Sequence, residues 1–154
     1  MNLLLLTGWL LLISPIARAD DPFVGEWRMQ PSASMYAGEI PTAMRIVIES
    51  TADGVHYVSE TTQANLRIVS AEYTADYDGR LAPVMGDAGL LAPVSLSRID
   101  ANTVEATYIR GLQIVATSRR VVSADQRTMT ITTVTYDAQH RPLTNIGIYE
   151  RVER

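Results

Sequence analysis

Three arginines stand at the ends of alternating apolar runs, and that alternation could turn them into a chemical grip. Val94 and Leu96 lead to Arg98; Val104, Ala106 and Tyr108 lead to Arg110; Leu112, Ile114 and Ala116 lead through Ser118 to Arg120. Side chains along a strand alternate between faces, so if the apolar members face a core, each arginine faces it too. An enclosed guanidinium holds a carboxylate through two parallel hydrogen bonds. Tyr108 and Tyr149 would add phenol groups, which makes Tyr108, Arg120, Tyr149 and Arg98 the candidate ligand-binding residues. The alternative is that each arginine ends its strand in water at a rim. That reading is favoured for the set, because charges are rarely buried unpaired. Arg120 has the most apolar chain behind it and is the strongest of the three.

Catalytic constellations are thin. His56 and His140 are the only histidines and there is no cysteine, so no zinc site is expected. No Gly-x-Ser-x-Gly elbow and no phosphate-binding glycine loop occurs. Asp76-Tyr77-Asp78-Gly79 has the start of a calcium loop without its later ligands or terminal Glu, and reads as a strand end and turn. Glu105 with Tyr108, or His56 with Glu60, can be drawn as acid/base pairs, but any β protein offers such pairs. His56 is opposite in parity to Val55 and Tyr57, which points it outward; His140 sits in a turn. No catalytic residue, metal ligand or cofactor is assigned.

Composition narrows the chemistry further. All 13 basic residues are arginines, so lysine-based Schiff chemistry has no nucleophile here. Leu3 to Ile13 is apolar apart from Thr7 and Gly8, and Ala17-Arg18-Ala19 follows Ser14-Pro15. Such a core with small residues at the last and third-last positions predicts a secretory signal cleaved after Ala19, although no basic residue precedes it. The run is shorter than the ~20 residues a spanning helix needs, so no stable membrane span is expected once it is removed. Without cysteine there is no lipoprotein anchor. Removal of residues 1–19 leaves 135 residues, twelve arginines and 17 carboxylates, a formal charge of −5. That size suits one domain, residues 20–154, with a single core. The acidity argues against nucleic acid as a partner.

The elements that must position these residues repeat with period 2. Phe23 to Met29, Met44 to Glu49, Val55 to Thr62, Val94 to Ile99, Thr103 to Arg110, Leu112 to Val122, Thr128 to Tyr136 and Leu143 to Val152 read as strands. Asp53-Gly54, Asp78-Gly79, Asp100-Ala101-Asn102 and Gly111 punctuate them. Asn65 to Tyr77 reads as a long or broken strand pair, and Leu81 to Met85, interrupted by Pro83, as an edge or rim piece. No segment has helical periodicity. The expected fold is all-β: a single antiparallel up-and-down barrel of about 8–10 strands, which removes exposed edges.

The two ends carry a resemblance. Phe23-Val24-Gly25-Glu26-Trp27-Arg28-Met29 is similar to the opening strand of the fatty-acid-binding proteins, and Gly-x-Trp also marks the lipocalins. Tyr149-Glu150-Arg151-Val152 resembles the closing strand of the fatty-acid-binding proteins. Tyr77-Asp78-Gly79-Arg80, Ser97 to Glu105 and Arg120 to Asp125 resemble exported bacterial lipocalin-like proteins, a group without an established activity. The resemblance implies a calycin-type barrel. It also implies an Arg two residues before Tyr149, both reaching a ligand carboxylate, but that position is Gly147; the helical lid is replaced by Pro31 to Pro41. A structural closure is expected at the ends. Gly25 permits close approach, Trp27 fills the floor, and Arg151, or secondarily Arg154, stacks on the indole.

Met35, Tyr36 and Ile40, and the Met85 to Leu91 stretch, place large apolar residues in loops, as a portal, a partner surface or a cap on the core would require. The first functional reading is a periplasmic or secreted barrel for a hydrophobic or amphipathic small molecule. The second is an envelope interaction or inhibitor protein with a packed core and a protein partner. The third is a barrel isomerase or cyclase.

Overall fold

The computed structural model describes residues 21–87 and 89–153, with the side chain of Leu90 left aside. The expected signal segment, residues 1–19, and Arg154 lie outside those residues. Twelve strands form one sheet: β1 (Gly25–Met29), β2 (Ala43–Thr51), β3 (Gly54–Thr62), β4 (Ile68–Ala75), β5 (Asp78–Ala82), β6 (Met85–Gly86), β7 (Gly89–Leu90), β8 (Val94–Asp100), β9 (Thr103–Arg110), β10 (Gln113–Val122), β11 (Thr128–Tyr136) and β12 (Pro142–Arg151). One 3-10 turn, Pro31–Ala33, follows β1. The count exceeds the expected eight to ten because the Asn65–Tyr77 and Leu81–Met85 stretches resolve into β4, β5 and β6, and β7 adds two residues more.

The sheet runs β5-β8-β9-β10-β11-β12-β1-β2-β3-β4-β6-β7, all neighbours antiparallel. The first and last strands meet, with Trp27 opposite Arg151 and Met29 opposite Tyr149, and this curls the meander into a barrel. β4 and β5 follow one another through Asp76–Tyr77, yet no ladder joins them: β5 pairs with β8, whereas β4 pairs with β6. The seam is crossed by the chain itself at Pro83–Val84. Pro83, which has no N–H to give a ladder, falls where the pairing changes sides.

Alternation fixes the inner face. Val94, Leu96, Val104, Ala106, Val122 and Met129 are buried, as are Ile46, Ile48 and Trp27. Burying side chains of this size stabilises by about 1.5–3 kcal/mol each, which gives a cysteine-free chain its cohesion. Phe23, Trp27, Ile48 and Val104 fill one end of the barrel, closed by Arg151, whose guanidinium lies 4.1 Å from the centre of the Trp27 ring. Arg151 donates to the carbonyls of Pro22, Val24 and Gln126 at 2.6, 2.7 and 2.6 Å, so it ties the start of the chain to the β10–β11 turn. Gly25 makes this possible. Its φ is +143°, and a Cβ there would collide with the Arg151 guanidinium.

Candidate ligand-binding site

The other half of the barrel is hollow. Its cavity holds about 810 Å³, with walls from β3, β4, β9, β10, β11 and β12. It reaches the turns opposite the Trp27 floor, where Pro41, Arg110, Gln113 and His140 border it. The walls mix apolar groups such as Met44, Val84 and Ile131 with hydroxyls from Ser59, Thr61, Ser118, Thr133 and Thr135.

Arg120 stands at the inner end. It is 4% exposed, on an inward position of β10 opposite Val104 of β9 and Ile131 of β11. Its Nη1 donates to the Tyr73 hydroxyl at 2.7 Å and its Nη2 to the Tyr108 hydroxyl at 3.3 Å. The guanidinium carbon lies 4.6 Å from the centre of the Tyr57 ring, which is itself stacked on Tyr73 with centroids 4.8 Å apart. Its Nε is buried with no hydrogen-bond partner, and none of the ion pairs among the described residues includes it. Burial opposes this charge, but the phenol oxygens of Tyr73, Tyr108 and Tyr57 hold its pKa above the ordinary value. Burial pushes Tyr57 up to about 12 and Tyr73 still higher, so both are neutral donors and acceptors beside a fixed cation. A buried cation ringed by phenols, with no carboxylate paired to it among the described residues, has the chemistry to receive an anion.

Of the residues singled out from sequence, Tyr108 and Arg120 meet directly. Tyr149 borders the same cavity and donates to the Met44 sulfur at 3.0 Å, with burial raising its pKa. Its ring lies over Gly147: a Cβ there would be 2.6 Å from Cε2 and 2.9 Å from the phenol oxygen. The tyrosine thus occupies the space into which a longer side chain at 147 would project.

Arg98 is a correction. It faces inward as the alternation requires, but at the floor, away from the cavity. There its Nη2 pairs with Asp21 at 2.7 Å, and it stacks 4.0 Å over Tyr77 and 5.5 Å over Phe23. The Tyr77 hydroxyl donates to the same Asp21 oxygen at 2.8 Å, so this arginine is satisfied. β8 runs from the mouth to the floor, and a strand's inward terminal residue reaches whichever end the strand is heading for. Leu112 also departs from its expected inward position: it is a turn residue, fully exposed, and a bulge between Ile114 and Ala116 resets the alternation. His56 bonds Thr74 on the outer face, at Nδ1–Oγ1 3.0 Å.

Tyr57 and Tyr73 are the site residues that the sequence reading passed over. The signal was present, since Tyr57 shares the parity of Val55 and Tyr73 that of Ala75. What alternation cannot show is that two tyrosines from different strands converge on an arginine 47 residues away from one of them.

No family model matches the sequence, and no curated protein does. Among solved structures, the zebrafish ileal bile acid-binding protein complexed with cholic acid is similar, with a TM-score of 0.56 and 12% identity over 85% of this chain and 99% of that one. At that identity the likeness is one of fold: an antiparallel up-and-down barrel of the fatty-acid-binding and bile-acid-binding type.

Proposed function

We propose that this chain is an exported binding barrel for an amphipathic small molecule with an anionic head. The observation that carries the reading is Arg120, a cation lining a mostly apolar cavity, paired with no carboxylate among the described residues and bonded only to the hydroxyls of Tyr73 and Tyr108. About 810 Å³ is within the roughly 300–1,000 Å³ range of small-molecule sites. A carboxylate or similar anion would supply the missing counter-charge, and its apolar body would lie against Met44, Val84 and Ile131. The similar barrel's partner, cholic acid, is an acid of this general kind. Export rests on the leader-like residues 1–19 and is tested by the mass of the chain recovered from the cell envelope, which should start at Asp20.

A matched pair of ligands tests the site: a long-chain acid and the alcohol of the same length. Wild type should prefer the acid at neutral pH, and Arg120→Met should weaken the acid at least about tenfold, near 1.4 kcal/mol, while leaving the alcohol unchanged. Equal affinity for acid and alcohol in wild type would sink the reading.

A further inference from the structure

Three of the four most exposed large apolar side chains among the described residues stand at the end where the cavity opens. Leu112, fully exposed, tips the β9–β10 turn; Leu66 (77% exposed) tips the β3–β4 turn; Ile68 (63%) begins β4; the fourth, Met35, is bridged to Ile146 in the middle of β12. Ile114 and Tyr136, about half exposed, continue this crown into the cavity wall.

Leu66 supplies a second observation. Its φ is +65°, in the left-handed region that glycine or asparagine occupies at far less cost. A leucine held there and aimed at water contributes nothing to the core, and strain kept for no structural return points to a use. Charge supplies a third. Arg67 and Arg110 flank the two leucine tips, and neither belongs to any ion pair among the described residues. The opposite end collects acidic turn residues, including Asp53, Asp76, Asp100 and Asp125, while on the crown side Asp137 is paired with Arg141 and Asp87, the carboxylate that feels Arg67, is bonded to Ser70.

We propose that the crown is a membrane-docking face. Leu66 and Leu112 enter the boundary between headgroups and acyl chains, and Arg67 and Arg110 meet lipid phosphates. The acidic floor then faces away from the anionic surface, and the cavity mouth opens onto lipid rather than water. Two copies joined crown to crown would bring the unpaired arginines together, so a lipid surface fits the charge pattern better than a second copy. This inference holds whatever ligand the cavity takes.

Vesicle flotation of residues 20–154 tests it. Every described ladder and core side chain lies within that segment, and the apolar leader would itself partition into lipid. The barrel should rise with vesicles of phosphatidylglycerol and phosphatidylethanolamine, and less with phosphatidylcholine alone. Leu66→Asn combined with Leu112→Asn should cut the partition coefficient at least about tenfold, without lowering the melting temperature, since Asn is at ease in a left-handed turn. Should the pair not fold, Leu112→Ser alone, at a fully exposed tip, gives the same readout. Arg67→Gln with Arg110→Gln should weaken binding to the anionic vesicles only. No flotation, or flotation that the asparagine pair leaves unchanged, overturns the proposal. A dimer in sedimentation that the asparagine pair abolishes, without vesicle binding, overturns it too and gives the crown to a second copy.

Discussion

In the proposed role, Arg120 sets binding against stability. A buried cation with an unbonded nitrogen is a burden on the empty barrel, and exchanging it for an apolar side chain of similar length removes that burden. Arg120→Met, the variant expected to weaken acid binding, is therefore expected to raise the unfolding free energy by about 1–3 kcal/mol in denaturant titration. A loss of stability would mean that its bonds to Tyr73 and Tyr108 outweigh its desolvation. The tyrosines beside it give a pH signature. Tyr57 has a folded pKa of about 12 against an ordinary 10, and Tyr73 and Tyr149 move the same way, all chiefly through burial. A raised folded pKa means the native state binds the proton more tightly. The associated stability is full below pH 10 and is lost as pH rises through about 12. Alkaline unfolding should thus begin in that window, and Tyr57→Phe should move it upward. If the phenolate absorbance of Tyr57, Tyr73 and Tyr149 instead grows near pH 10 while the fold persists, these three rings are not buried.

At the scale of elements, the pairing of β1 with β12 depends on one glycine. Gly25→Ala puts a methyl group against Arg151 and a side chain at φ +143°, so it is expected to cost about 1–3 kcal/mol in thermal or chemical unfolding. An unchanged melting temperature would show that Arg151 can leave Trp27 freely. The strands themselves were largely legible, because half-buried strands write period 2 into the chain and Asp-Gly and Asn-containing turns bound them. β9 has its expected ends, Thr103 and Arg110, and β11 has Thr128 and Tyr136. β6 and β7 were not legible, since two residues cannot display a period. Within the site, inward parity was readable for Tyr108 and Arg120, but depth was not. The same rule that turns Arg98 inward says nothing about floor or mouth, and the contact of Tyr73 with Arg120 depends on how far the sheet curls.

On the scale of the whole molecule, cohesion is uneven around the barrel. β9 to β12 form long ladders, broken in register only by the bulge between Ile114 and Ala116, whereas β5, β6 and β7 are short and stand at the ends of the sheet. Amide hydrogen exchange should be fastest, among strand residues, in β5–β7 and slowest in β10 and β11. Uniform protection around the barrel would contradict the break between β4 and β5. That break also gives the protein the mechanics of a split ring. A wall hydrogen-bonded all the way round has one circumference, and widening it means tearing a ladder. Here the chain ties the two lips at both ends, through Asp76–Tyr77 and through Pro83–Val84, but no ladder joins them between those links, so girth becomes an adjustable quantity. On the proposed function, guests of different thickness would be held beside the same arginine, with the sheet flexing like a spring clip while every ladder bond is kept.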